Sequence, residues 1–443
     1  MRSGHPSQSN HTQPLFVFLL VILAWAPLPL GSNMPWAWHL LEVLVFSLAG
    51  LWLVSFYRGH AKLTPSCMMA WPMLTALLLV QLWVLVQILA QWSASPYDSM
   101  AAFYKGTAFS LLFALTLLLV DTRERLKTLA LMMIACGTFQ AFYGGVMTLS
   151  GLEYSFFVEK VYARGLATGT FTTRAHLAGF LVMCLSVGIG YMMSTLHRGR
   201  SGSWRERSRR LISTLLSSKF LVRLALAIMV VGLVLTRSRM GNSAFFIALT
   251  VCGFLGLFLQ RKATRNTVIL LVSLLAIDAV IVGNWFGIDK VVERLENTTA
   301  QAAVRDEVAR DTLTMWQAHP MKGVGAGSFY AVFPNYQQAD VNDYFIHAHN
   351  DYLEFISEYG LVGFGLLGFV VLSSLWQGVQ AQRERNSGLM KGMGFACMMS
   401  ITAMLIHATV DFNLQIPANA AWFMVILALG WIARYAGKTP RSG

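Results

Sequence analysis

Two kinds of side chain in this sequence could do chemistry together: histidines just ahead of a helix start, and arginines near helix ends. The histidines lie in His347-Ala348-His349-Asn350-Asp351. Asp351 is placed to cap the helix that follows, and Glu354, three residues on, gives a capping-box-like pattern. His349 then stands just ahead of the positive end of a helix dipole. That position disfavours imidazolium and leaves a neutral ring able to accept a proton near pH 7. The same helix end suits a phosphate. Two other readings stay open. His347 and His349 with Asp351 could be metal ligands, although no further His or Cys cluster accompanies them, or they could be plain loop histidines.

Arg237 and Arg239, in LTRSRMGNS, stand at the end of an apolar stretch. A charge at a membrane border is costly unless it snorkels or binds something. The guanidinium fork matches phosphate oxygens two at a time. Arg237 and Arg239 are therefore candidates for holding an anion, and Arg164, Arg174, Arg305 and Arg310 could converge on the same pocket. Glu42 and Asp278 fall inside apolar stretches, where an acid either relays protons or pairs with an arginine.

The elements that position these residues are set by composition. Of 443 residues, 56% are hydrophobic and 12% charged, with a mean hydropathy of +0.55. Soluble domains carry about 25% charged residues, so an ordinary soluble enzyme and a disordered chain are both excluded. Long continuous apolar runs, rather than short alternating ones, point to an all-α integral membrane protein and away from a β-barrel. Twelve stretches approach the length of a span: 14–31, 36–57, 67–91, 100–120, 128–150, 175–196, 220–236, 241–260, 267–286, 360–379, 389–410 and 417–434. The first ends in Pro-rich sequence and reads as a retained helix, not a signal peptide. All five cysteines sit inside these stretches, so neither a disulfide framework nor a zinc-type cluster is expected.

The net charge of +13 is unevenly spread. Assigning the connections alternately to two sides gives +19 on one side and −6 for the remainder. The positive-inside rule puts the basic side, with both termini, in the cytoplasm. Its most basic segment, His197 to Arg223, reads as a topology-fixing loop attracted to lipid headgroups rather than a nucleic-acid site. The chain then divides into residues 1–286 (nine spans, with an outer loop at 151–174 and the basic loop at 197–223), an outer loop at 287–359, and three spans with a short tail at 360–443. A loop as long as 287–359 is usually functional. Within it, Ala300 to His319 reads as an amphipathic helix with Val304, Val308, Met315 and Trp316 on its apolar side, followed by a Gly-rich turn, MKGVGAGSF.

Several segments resemble the O-antigen ligase / O-antigen polymerase superfamily of bacterial envelope glycosyltransferases. HAHNDYLEFISEYGLVGF (His347 to Phe364) is similar to that family's His-Asn-x-x-Leu…Glu-x-Gly-x-x-Gly signature. Arg305 precedes HPMKGVGAGSF at the family's interval, and SRMG (Ser238 to Gly241) resembles its Ser-Arg at an outer helix end. GTFTTRAHLAGF (Gly169 to Phe180), HATVDFNLQIPANA (His407 to Ala420) and APLPLGS (Ala26 to Ser32) match further segments in order. One departure is that Thr173 and Ala175 replace two asparagines common around Arg174.

The resemblance implies a glycosyltransferase C-type membrane fold and an inverting transfer needing no metal or cofactor. The implied donor is a glycan on undecaprenyl diphosphate, used at the periplasmic face of the bacterial inner membrane. It implies His349 as general base and arginines on the leaving diphosphate: Arg239 and Arg305 first, then Arg174, Arg237, Arg164 and Arg310. Asn350, Asp351, Glu354, Glu358 and His347 would orient the base or its helix. The leading expectation is a ligase with lipid A-core oligosaccharide as acceptor. A polymerase of O-antigen or exopolysaccharide, or a protein O-oligosaccharyltransferase, is the runner-up. A twelve-span transporter using Glu42 and Asp278 is a third reading, disfavoured by the lack of an internal repeat.

Overall fold

In an apolar surround each backbone N–H and C=O must be satisfied within its own segment, and a helix does this. The leucine-, valine- and methionine-rich runs accordingly form helices. The structure, a computed structural model, describes residues 11–155, 157–160, 163–195, 218–259, 304–338 and 344–437. In chain order the helices are α1 (Gln13–Trp25), α2 (Pro35–Tyr57), α3 (Pro65–Met69), α4 (Trp71–Leu89), α5 (Pro96–Leu119), α6 (Arg123–Ser150), α7 (Arg174–Thr195), α8 (Ser218–Leu235), α9 (Arg239–Leu259), α10 (304–318), α11 (Phe329–Val332), α12 (Asp351–Glu384), α13 (Gly388–His407) and α14 (Pro417–Tyr435). A two-stranded antiparallel hairpin, β1 (Tyr154–Ser155) and β2 (Val158–Glu159), interrupts the otherwise helical chain.

Among the described residues, nine helices are long and apolar enough to cross a membrane: α2, α4, α5, α6, α7, α9, α12, α13 and α14. The expected span at 267–286, with Asp278, lies outside the described residues, as does most of the basic segment (197–217). The first expected span, 14–31, is corrected: α1 ends at Trp25. Pro27 and Pro29 follow, and proline disfavours helix in the residue before it and removes a backbone donor. Thirteen residues make about 20 Å of helix, short of a bilayer core.

Burial ranks the bundle. In α7 and α14, 89% of the apolar window is buried inside the protein, against 28% in α2 and α12, so the former pair is central. α7 packs on α13 at Gly190 and Gly392, where a Cβ on either residue would collide with the other's carbonyl oxygen. Small residues allow such close approach where no hydrophobic effect drives helix pairing.

One set of connections gathers at one end of the bundle. Ala94 N–H donates to Val324 O (2.9 Å), Ala167 N–H to Leu235 O (3.1 Å) and Asp351 N–H to Ala408 O (3.0 Å), and Thr170 Oγ1 donates to Pro27 O (2.5 Å). At the opposite end two arginines serve as structural ties. Arg125 donates to Thr12 Oγ1 (2.9 Å), and Arg385 to the carbonyls of Arg434 and Ala436.

The gathered end has its own small core of Val308, Met315, Val324, Phe329, Val332, Phe333 and Ala348. The expected amphipathic helix is there as α10. Its buried face is Val308, Asp311, Thr312 and Met315, the i, i+3, i+4, i+7 pattern of one helix side, while Val304 and Trp316 are half-buried at its edges.

Candidate active site

The site is built on α12 and the segments that meet its first turn. Asn350, not Asp351, is the N-cap: its Oδ1 accepts from Leu353 N–H (3.1 Å). Asp351 is occupied elsewhere, its Oδ2 accepting from Leu414 N–H (3.1 Å). Asn350 Nδ2 donates to Thr409 O (2.9 Å), so both residues tie the helix start to the connection between α13 and α14. The capping-box expectation is therefore corrected. Glu354 sits one position too far along to serve that box. Its buried carboxylate reaches back beyond the cap, accepting from Ala348 N–H (2.8 Å) and pairing with His347 Nδ1 (2.7 Å).

Glu358, one turn further, holds the Gly-rich turn. It accepts from Phe329 N–H (3.0 Å), while its carbonyl accepts from Gly325 N–H (3.1 Å) and from Gln87 Nε2 (2.8 Å). At Gly323 and Gly360, both at positive φ, the turn lies backbone to backbone against α12, and a side chain at either would strike a main-chain oxygen. Gly360 (φ +64°, ψ −179°) also breaks α12, separating the short site helix from the apolar length behind it.

His349 itself is held by its neighbours. Ala348, 1% exposed, plugs into the small outer core and sets the histidines to either side of it. His349 has φ +52°, an uncommon conformation for a residue with a side chain, and such strain collects at functional sites. Its ring meets Phe412 edge-on, with centroids 4.9 Å apart. Burial first, then the Arg305 guanidinium and His347, hold the imidazole down at about 4. The neutral state expected of His349 is thus present, but from burial and neighbouring charge.

Four of the six candidate arginines come together. Arg174 lies within electrostatic reach of Arg305, Arg239 and Arg237, and Arg305 in turn acts on His349. Arg174 and Arg239 are the first residues of α7 and α9. A cation at a helix N-terminus faces the wrong end of the dipole, whereas an anion there is favoured. Local sequence explains both placements. Thr173 Oγ1 accepts from His176 N–H (3.3 Å), doing the capping an asparagine would do, so the departure at this position preserves the helix start. Ser238 Oγ accepts from Gly241 N–H (3.3 Å) in the same way, and Arg237, at φ +50°, makes the turn that leads into it.

Two expected arginines are not drawn in. Arg164 pairs with Glu159 (2.8 Å) on the exposed hairpin, and Arg310 is exposed on α10 and is not among the charges acting on Arg174 or His349. Glu42 pairs with His39 (3.0 Å), with Lys105 near, and with no arginine among the described residues. No group of three or more His, Cys, Asp or Glu with metal-holding geometry occurs among the described residues.

The residue list drawn from sequence left out the α13–α14 connection. Phe412 touches three imidazoles: His347 stacked at 4.4 Å, and His176 and His349 edge-on at 4.8 and 4.9 Å. Asp411 lies 4.0 Å from His176 Nε2 and 3.7 Å from His407 Nε2. Burial raises its carboxyl above the usual range, opposed by Phe412 N–H, Arg305, His347 and Arg174. The available signal was an acid between two apolar stretches, within a segment already singled out by resemblance.

A groove of about 400 Å³ opens toward the opposite end, among Pro72, Phe369, Leu372, Trp376, Gln377 and Trp431. It shares no residue with the site.

No curated protein matches the chain. Residues 224–368, which include α9 with Arg239, α10 with Arg305, the Gly-rich turn and both histidines, match the family model described as O-antigen ligase. Members of that family are glycosyltransferase-like enzymes. That match supports membership of the O-antigen ligase-like superfamily.

Proposed function

We propose that this protein is an O-antigen ligase. It transfers a glycan from undecaprenyl diphosphate to a hydroxyl of the lipid A-core oligosaccharide, at the periplasmic face of the bacterial inner membrane. One observation carries the reading: a neutral, partly buried histidine and four arginines meet where apolar helices end. That is the equipment needed to join a hydroxyl to a sugar carried by a lipid diphosphate.

His349 takes the proton of the acceptor hydroxyl as its oxygen attacks the anomeric carbon from the face opposite the leaving group, inverting the centre. The carbon–oxygen bond to phosphate breaks with its electron pair, and charge grows on the diphosphate. Arg305, Arg239, Arg174 and Arg237 offset that charge from fixed positions, the role a divalent cation fills elsewhere. Asn350, Asp351, Glu354 and Glu358 hold the base and the Gly-rich turn, and the glycosyltransferase C-type arrangement leaves the lipid tail among the helices.

The test is reconstitution: the purified protein in nanodiscs, a lipid-linked glycan and lipid A-core, with EDTA present. Ligated product is expected, and its loss in EDTA with recovery on adding a divalent ion overturns the metal-free transfer. Glycan lengthening on the lipid diphosphate, without transfer to lipid A-core, selects a polymerase of the same superfamily instead.

A further inference from the structure

The two histidines of the His-Ala-His segment are held in opposite ways. His347 Nδ1 lies 2.7 Å from Glu354 Oε1, and that carboxylate side chain is 2% exposed. A carboxylate can only accept from a neutral ring here, so His347 carries its proton on Nδ1 and presents a lone pair at Nε2. His349 has no such support. Its Nδ1 is buried without a hydrogen-bond partner among the described residues, and Arg305 stands in its field. Both rings lie on Phe412, His347 stacked at 23° and His349 edge-on at 73°.

The other charged and titratable groups around this pair come from every side. Asp351 and Glu358 are on α12, Asp411 is on the α13–α14 connection, Arg305 is on α10 and His176 is on α7. Around Phe412, among the described residues, only His347 and Glu354 form a histidine–carboxylate contact of hydrogen-bond length. The approaches of Asp411 to His176 and His407, at 4.0 and 3.7 Å, are longer.

An imidazolium on His349 would be a buried cation beside another cation. An imidazolium on His347 is offset by the carboxylate it already touches. We infer that His347, backed by Glu354, is a second proton-handling group of this site. It receives the acceptor's proton from His349 through water and releases it to solvent. The inference rests on the transferase reading above. The hydroxyl O–H bond breaks, its oxygen bonds to the anomeric carbon, and the diphosphate departs with the electron pair of the broken bond. The proton then passes from His349 to His347 Nε2 and out, leaving both rings neutral for the next turnover. Glu354 acts here as a positioning residue.

The test uses the full-length protein in nanodiscs with the lipid-linked donor, comparing wild type with His347→Gln and Glu354→Gln. Gln at 347 can still donate to Glu354 but cannot carry the proton. In both variants kcat is expected to fall about 100-fold, with KM for the donor little changed. The acid limb of the kcat profile is expected to move, because the protonation that sets it is no longer shared between His349 and the Glu354-backed His347. A merely structural role lowers kcat without moving that limb, and such a result overturns the inference. So does wild-type kcat in either variant. Spectra of ¹⁵N-labelled histidine read the pair without turnover: the Nδ1–H tautomer of His347 is expected in wild type, and its absence also overturns the inference. A wild type that shows this tautomer but transfers no glycan contradicts the functional reading instead.

Discussion

His349 sits near 4 on the pH scale because it is buried next to Arg305, and this has two consequences. The neutral form needed for proton abstraction persists far below neutrality. His349→Ala should lower turnover by about 10²- to 10⁴-fold, with the thermal midpoint in nanodiscs nearly unchanged. Stability carries the opposite signature. As pH falls, the unfolded chain binds this proton near 6.5, while the native chain resists until about 4. The contribution of His349 to stability is therefore complete above about pH 6.5 and is lost as pH falls from there toward 4. Thermal unfolding followed over that window should show less acid sensitivity in His349→Ala than in wild type. For the arginines, Arg305→Ala should reduce kcat by about 10²- to 10³-fold, the cost of removing one stabilising donor. Arg164→Ala, which removes only an exposed ion pair, should leave kcat at the wild-type level. At this scale the sequence was legible where chemistry depends on residue type and local spacing, as at His349 and Arg239. It was not legible for Phe412 and Asp411. They join the site only because two connections, sixty residues apart along the chain, fold onto each other.

At the scale of elements, the start of α12 shows what local pattern leaves open. Asn350 and Asp351 are both competent caps, and the choice between them is tertiary. Leu414 N–H claims Asp351, and Thr409 O fixes the amide of Asn350. Asn350→Ala should cost about 1 kcal/mol of stability, and Asn350→Asp should recover most of it by restoring the acceptor for Leu353 N–H. Gly360 carries a stricter demand. Its positive φ and its contact with the Met321 carbonyl make Gly360→Ala both strained and obstructed. The strain alone is about 1–3 kcal/mol, and the Gly-rich turn should shift away from Glu358. Hydrogen exchange over residues 321–329 is expected to rise in that variant, and unchanged exchange contradicts the clamp. The Gly-rich turn and the amphipathic helix before it were readable from composition and period. The fact that one backbone lies on the other was not, because glycine spacing does not say what it makes room for.

For the whole molecule, the apolar runs predicted the helices well, since nothing else satisfies the backbone in lipid. They predicted less well the lengths at Pro27, where proline overrides hydropathy. The charge asymmetry makes an independent claim about sidedness. Arg164, at the gathered end, should face the periplasm, and Lys62, at the opposite end, the cytoplasm. Both positions are exposed, and the native cysteines lie in helices, four of them buried. With Arg164→Cys, a membrane-impermeant thiol reagent should label cells whose outer membrane alone has been opened. With Lys62→Cys it should label only after lysis. The reverse pattern contradicts the orientation.

In the proposed reaction, His349 and the converging arginines transfer a glycan from a lipid diphosphate. The most direct measurement is single-turnover product formation by the purified protein in nanodiscs, with lipid-linked glycan and lipid A-core supplied, for wild type, His349→Ala and Arg305→Ala side by side. Ligated glycan is expected from wild type, with its formation slowed about 10²- to 10⁴-fold in His349→Ala. Formation from Arg305→Ala is expected to slow by about 10²- to 10³-fold, with all three proteins equally folded. Product formed at the wild-type rate by a folded His349→Ala protein overturns the role of His349.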